Sequence, residues 1–249
     1  MLIKSLSKGL LALVTITVPM QATSVLNGSF SMVGTATASF SINLDTTLPD
    51  WTATPSGNAE LDCLVFAGAT TNICGTQADG GGQSFWVFPG SSPDGGNYVA
   101  VDGVSTYATP LTQTFTGSNK LIAGQRYAIS FWQAAAQQSG FTGATTEQWQ
   151  VSLGGSASQL STLMNTPSHG DVGWNFQSLT FTAGATQVLQ FVAKGTPNGQ
   201  PPFVLLDGVS ITAVPEPGTL AMIGIALITL PMGRKLWKKM RRPVPTSPF

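Results

Sequence analysis

Apolar and polar positions alternate along the middle of the chain. Tyr127, Ile129 and Phe131 alternate with Ala128, Ser130 and Trp132. Trp149, Val151 and Leu153 alternate with Gln148, Gln150 and Ser152, and Leu179 and Phe181 alternate with Thr180 and Thr182. Phe203, Leu205, Val209 and Ile211 share one parity. A period of two describes strands with one buried and one wet face. Turn sequences separate the runs: Asp79-Gly80-Gly81-Gly82, Pro93-Asp94-Gly95-Gly96-Asn97, Gly154-Gly155 and Pro197-Asn198-Gly199. No stretch of the middle carries a helical period. The pattern predicts one all-β domain, an antiparallel sandwich of jelly-roll type.

The two ends read differently. Lys4 and Lys8 precede an apolar run from Gly9 to Met20, and Gln21-Ala22-Thr23-Ser24 follows. A charged start, a short apolar run and a small-residue exit predict a secretory signal peptide over residues 1–22. Cleavage after Ala22 fits best, with Ser24 the second choice. At the other end, sixteen uncharged, mostly apolar residues run from Gly218 to Gly233. As a helix they would span about 24 Å, against about 30 Å of hydrocarbon core. This is a short transmembrane helix, with Arg and Lys side chains available to snorkel at its far end.

Charge sharpens the division. Only 9% of the residues are charged, while 42% are hydrophobic, enough to bury a core. Between Thr23 and Pro217 lie three basic residues, Lys120, Arg126 and Lys194, against eleven acidic ones. An acidic domain repels phosphate backbones, which argues against a nucleic-acid partner. Six positive charges, Arg234, Lys235, Lys238, Lys239, Arg241 and Arg242, crowd the region just past the apolar run. There they act as a topology signal that keeps the C-terminus inside and the acidic domain outside.

Pro215-Glu216-Pro217, the short apolar helix and the basic cluster together resemble the PEP-CTERM sorting signal. The resemblance covers residues 214–242, leaving 243–249 as a tail. It implies an exported precursor held in the inner membrane of a Gram-negative bacterium. An exosortase partner would then process it and deliver it to the cell surface or the extracellular matrix. Pro231, inside the apolar run, departs from the pattern and would kink or shorten the helix.

Residues 25–213 carry a second resemblance. Asn27-Gly28-Ser29-Phe30, Leu48-Pro49-Asp50-Trp51 and Gly95-Gly96-Asn97-Tyr98-Val99-Ala100-Val101-Asp102-Gly103 follow in order. Leu111-Thr112-Gln113-Thr114-Phe115, the 124–131 run and Leu206-Asp207-Gly208-Val209-Ser210-Ile211 complete the series. They resemble the DUF642 and choice-of-anchor C proteins, which implies a galactose-binding-like fold associated with carbohydrate. In that fold class a structural calcium often joins the first and last strands, and Asp207 stands at the matching closing position. Ser31 replaces the usual opening glutamate. An Asx-type turn is the alternative role for Asp207. No other cofactor is expected.

Candidate chemistry is sparse. Cys63 and Cys74, the only cysteines in an exported chain, are expected to form a disulfide. Ser168-His169-Gly170-Asp171 holds triad residue types, but adjacent residues rarely form a triad, and no G-x-S-x-G elbow occurs. Glu147 and Asp171 are the nominal carboxylate pair for glycoside hydrolysis. Their ordinary reading is as solvated strand ends, so the chain reads as non-enzymatic. Trp51, Trp149 and Trp174 are assigned to the core. Trp132, Gln148 and Gln150, on the non-core parity, are the candidate sugar-binding face, with Trp86 a second candidate. The expectation is a matrix protein associating with exopolysaccharide. A polysaccharide-acting hydrolase and a purely structural surface protein are the alternatives.

Overall fold

The computed structural model describes residues 22–33, 40–42, 48–53, 62–65, 73–74, 83–87 and 89–215. Residues 1–21 and 216–249 lie outside the described residues. So do the apolar runs expected at both ends, and Glu216 and Pro217 of the sorting triplet.

Two six-stranded antiparallel sheets face each other. The first is built from β1 (Phe40–Ile42), β3 (Asp62–Val65), β6 (Tyr98–Asp102), β14 (Pro202–Ala213), β8 (Arg126–Gln137) and β12 (Asp171–Thr182), in that spatial order. The second follows the order β10 (Gln159–Leu160), β9 (Thr145–Leu153), β13 (Val188–Thr196), β7 (Leu111–Thr114) and β2 (Thr52–Ala53). In it β11 (Met164–Thr166) also pairs with β9. A small hairpin, β4 (Ile73–Cys74) with β5 (Gln83–Ser84), stands apart. This is the all-β jelly-roll sandwich that the alternation predicts.

The central core fills the space between the sheets. Tyr127, Ile129 and Phe131 of β8 meet Trp149, Val151 and Leu153 of β9 there, with Phe191, Trp51 and Phe30. The Trp149 indole N–H donates to the Leu205 carbonyl at 3.0 Å, so the largest buried ring carries its polar atom satisfied across the sandwich. A second, smaller cluster covers the outer side of the first sheet, where Tyr98, Ala100, Ala134, Ala136, Phe203 and Leu205 pack with Phe85 and Cys63. Trp174 joins this outer cluster, edge-on to Tyr98 at 5.1 Å, rather than the central core expected for it.

β14 corrects the sequence reading most clearly. Phe203 and Leu205 do not share a face with Val209 and Ile211: the first two enter the outer cluster and the last two the central core. The register with β8 slips between Asp207 and Ser210. A bulge inserts an unpaired residue, and every side chain beyond it changes face. Gly208 sits in the bulge at φ +59°, and a Cβ there would meet the Trp132 ring at 3.0 Å. Cys63 is fully buried on β3, while the Cys74 side chain lies outside the described residues.

Phe191 touches Trp51, Phe131 and Trp149 at ring-centroid distances of 6.3, 5.2 and 5.8 Å. It is the shared contact of both sheets. Phe191→Ala is expected to destabilise the domain by about 3–5 kcal/mol, read as a lowered urea midpoint. A midpoint equal to the wild type's would show that the core lies elsewhere.

Candidate functional site

On the outer face of the second sheet, the even positions of β9 and β13 come together. Thr146 pairs with Thr196 and Gln148 with Lys194. The Thr146 and Thr196 hydroxyls are 2.7 Å apart. Leu163 from the β10–β11 link, Ser105 after β6 and Asn198 after β13 form walls around them. The Gly195 amide donates to the Gly103 carbonyl at 2.8 Å, which fixes one wall against the floor. The groove is half open to solvent, and its volume is about 290 Å³, near the lower end of the ~300–1,000 Å³ typical of small-ligand sites. The lining offers two threonine hydroxyls, a serine, two amides and one ammonium. These are donors and acceptors in both senses, as a polyhydroxylated ligand requires.

The residues proposed from sequence are separated by the fold. Gln148 lines this groove. Gln150 faces the same way but is committed to Ser158 at 2.7 Å, beside Leu160. Trp132 lies on the other sheet, so the face expected to hold Trp132, Gln148 and Gln150 together does not exist. The physical reason is the connection after β8, which crosses the sandwich instead of making a hairpin. Trp132 instead packs edge-on to Phe176 at 5.3 Å, and Phe176 is 54% exposed.

Trp86 is exposed among the loops at one end of the sandwich. Its indole N–H donates to the Phe141 carbonyl at 2.9 Å, and its ring lies 4.2 Å from that of His169. Thr146, Thr196, Lys194 and Asn198 escaped the sequence reading. Their signal was the parity of two strands taken together, which becomes visible only once the register is known.

Among the described residues three carboxyl groups are fully buried, and none of them lines the groove. Glu147 has the opposite parity to Thr146 and Gln148 and points inward. The Thr166 hydroxyl donates to Glu147 Oε2 at 2.7 Å, and Oε1 has no partner. Asp102 Oδ1 accepts from the Val104 amide at 2.8 Å, and its Oδ2 has none. Burial pushes all three, Asp102, Glu147 and Asp207, up to about 7. Glu147 is thus a buried group under the groove floor, not the solvated strand residue expected. Asp171, at the start of β12, is half-buried and its carboxyl is raised by desolvation.

Asp207 sits at the bulge. Ser92 and the Gly208 amide approach it, but neither carboxylate oxygen has a well-formed hydrogen bond. Asp94 lies close enough to raise its pKa by charge repulsion. Two carboxylates and a hydroxyl around orphaned buried oxygens fit a hard cation in donor type. Among the described residues no three His, Cys, Asp or Glu side chains cluster, so hydroxyl and backbone oxygens would have to complete such a shell.

Strand β14 ends at Ala213, and Val214 and Pro215 follow it out of the domain. Residues 213–235 match the PEP-CTERM protein-sorting motif. The motif marks an exported, exosortase-processed protein. No curated protein matches the chain. Among solved structures, TmCBM61 in complex with β-1,4-galactotriose is 13% identical, covering 78% of this chain and 100% of that one with a TM-score of 0.43. The CBM22-1 xylan-binding domain from Paenibacillus barcinonensis is 11% identical, covering 78% and 94%, with a TM-score of 0.38. A CBM4 structure is 15% identical, covering 76% and 99%, with a TM-score of 0.36. The likeness of the middle domain to DUF642 and choice-of-anchor C proteins is not confirmed.

The buried carboxyls set a pH dependence. Unfolded, they titrate near about 4; folded, near 7. Between these values the folded state holds more protons, so stability is highest below about pH 4 and falls as pH rises through 7. The melting temperature at pH 5 should exceed that at pH 8, and Glu147→Gln should flatten the slope. A melting temperature rising from pH 5 to 8 would contradict the burial of these groups as ionisable acids.

Proposed function

We propose that the mature protein is a cell-surface matrix protein that associates with extracellular polysaccharide through the groove on β9 and β13. The observation that carries this reading is the groove lining: hydroxyls, amides and one ammonium in a cavity of about 290 Å³. Each hydrogen bond to a sugar hydroxyl would contribute about 1 kcal/mol, so affinity per site is modest. Many copies on a surface would supply avidity. The exposed Trp86 ring, among the loops at one end, offers a stacking platform of the kind sugars use. Exosortase processing would release the domain from its inner-membrane precursor. A Cys63–Cys74 disulfide, formed after export, belongs to the same reading.

A pull-down of the extracellular protein with the producer's own exopolysaccharide tests the groove. Gln148→Ala with Lys194→Ala should weaken binding roughly thirtyfold, as two lost hydrogen bonds of about 1 kcal/mol each imply. Trp132→Ala should leave it unchanged. Equal binding by the groove variant would exclude the groove. Binding by neither protein would favour a purely structural surface role, and release of reducing sugar ends would favour the hydrolase.

A calcium ion bound by Asp207, with Asp94 and Ser92 beside it, is part of the proposal. Such an ion would neutralise two neighbouring carboxylates at the β14 bulge. Millimolar calcium should raise the melting temperature of the wild type and leave Asp207→Asn unmoved. A calcium-independent wild type would remove the ion from the reading.

A further inference from the structure

Both ends of the described domain leave the sandwich at the same pole. At the N-terminal side, the Thr23 hydroxyl donates to the Lys120 carbonyl at 3.1 Å. The Ser24 amide donates to Asn119 Oδ1 at 2.7 Å. At the C-terminal side, the Val214 amide donates to the Arg126 carbonyl at 2.8 Å, and Gln125 Nε2 donates to the Val214 carbonyl at 2.9 Å. One loop, residues 117–126, therefore holds both exits.

That loop carries two of the three basic residues between Thr23 and Pro217, Lys120 and Arg126, in a stretch with eleven acidic ones. Both are exposed, and Ile122 between them is 48% exposed. Cleavage after Ala22 would add the α-ammonium of Thr23 to the same patch. No carboxylate falls within the 117–126 loop itself. The sixteen-residue apolar run begins at Gly218, four residues past Val214. At no more than about 3.6 Å per residue, Val214 is held within about 14 Å of it.

We propose that the 117–126 loop is a docking surface for anionic phospholipid headgroups, on which the membrane-held precursor stands before exosortase cleavage. The tether keeps Val214, which the loop holds, within about 14 Å of the apolar run, so the loop can reach the bilayer surface directly, inside the ~8 Å over which exposed charges act at physiological salt. Lys120 and Arg126 then meet the headgroup phosphates, while Ile122 reaches the interface. β8 runs from Arg126 at this pole to Gln137 at the other, about 36 Å away at about 3.3 Å per residue. The loops with Trp86 and His169, and the mouth of the groove at Thr196 and Asn198, are thus held outward. This arrangement rests on the sorting motif and not on sugar binding.

Hydrogen exchange on the full-length precursor reconstituted in lipid nanodiscs tests it. With phosphatidylglycerol present, peptides spanning 117–126 should exchange several-fold more slowly than in pure phosphatidylcholine. Peptides spanning 139–144 and 167–170 should exchange alike in both. Lys120→Glu with Arg126→Glu should abolish the difference without changing exchange in the β8 and β9 core. Equal exchange of 117–126 in the two lipids would overturn the proposal, as would slowing that survives in the double variant. Slowing that requires added exosortase, in either lipid, would also overturn it and assign the pole to the enzyme instead.

Discussion

The bulge in β14 is the constraint on which the rest of the domain depends. β14 is the strand between β6 and β8 at the centre of the first sheet. Without the slip between Asp207 and Ser210, Phe203 and Leu205 would have to share a face with Val209 and Ile211. One of the two clusters would then lose half its contribution from this strand. With it, Val204, Leu206, Val209 and Ile211 all reach the central core, while Phe203 and Leu205 fill the outer cluster. Only glycine fits at 208, because φ is +59° and the Trp132 ring stands at 3.0 Å. Beyond the slip, the Val209 amide donates to the Gly28 carbonyl at 2.9 Å, and a Cβ on Gly28 would collide with Val209. The opening turn of the chain is thereby fixed against its closing strand.

The same bulge concentrates electrostatic cost. Asp207 is fully buried there with both oxygens lacking well-formed hydrogen bonds, beside Asp94. Isolated buried charge is expensive, so the group answers by holding its proton to about pH 7 or by taking a cation. Glu147 and Asp102 resolve the problem differently, each keeping one satisfied oxygen. Glu147 alternates along β9 with the two polar residues of the groove floor. The groove is therefore built on a strand whose inner face carries an acid and whose outer face carries none.

Strand existence and facing were legible where the alternation was regular. Tyr127, Ile129 and Phe131, and Trp149, Val151 and Leu153, enter the core as their parity requires. Two kinds of information were not local. The first is which sheet a strand joins: Trp132 and Gln148 lie sixteen residues apart and share outward parity, yet sit on opposite sides of the sandwich. The second is register. The pairing of Gln148 with Lys194 and of Thr146 with Thr196 creates the groove, and neither pair is visible in either strand alone. The β14 slip left only a glycine as its trace, within a run that otherwise reads as regular. The sorting motif was legible because it is contiguous and needs no tertiary context, and the match covers residues 213–235.

Polarity along the strands ties these features to the life of the molecule. The long strands of a sandwich separate its two ends by their own length, so whatever is tethered at one pole is presented at the other. Here the two chain exits share the 117–126 loop, and the exposed tryptophan and the groove mouth belong to the opposite end. Under the proposed anchoring, an exit at the far pole would press the groove mouth against the membrane. Strand parity decides the matter: β14 must run away from the groove pole for its last residues to meet Arg126, and its antiparallel pairing with β8 fixes that direction. The position of the groove mouth relative to the chain exit at Pro215 is thus a consequence of sheet topology.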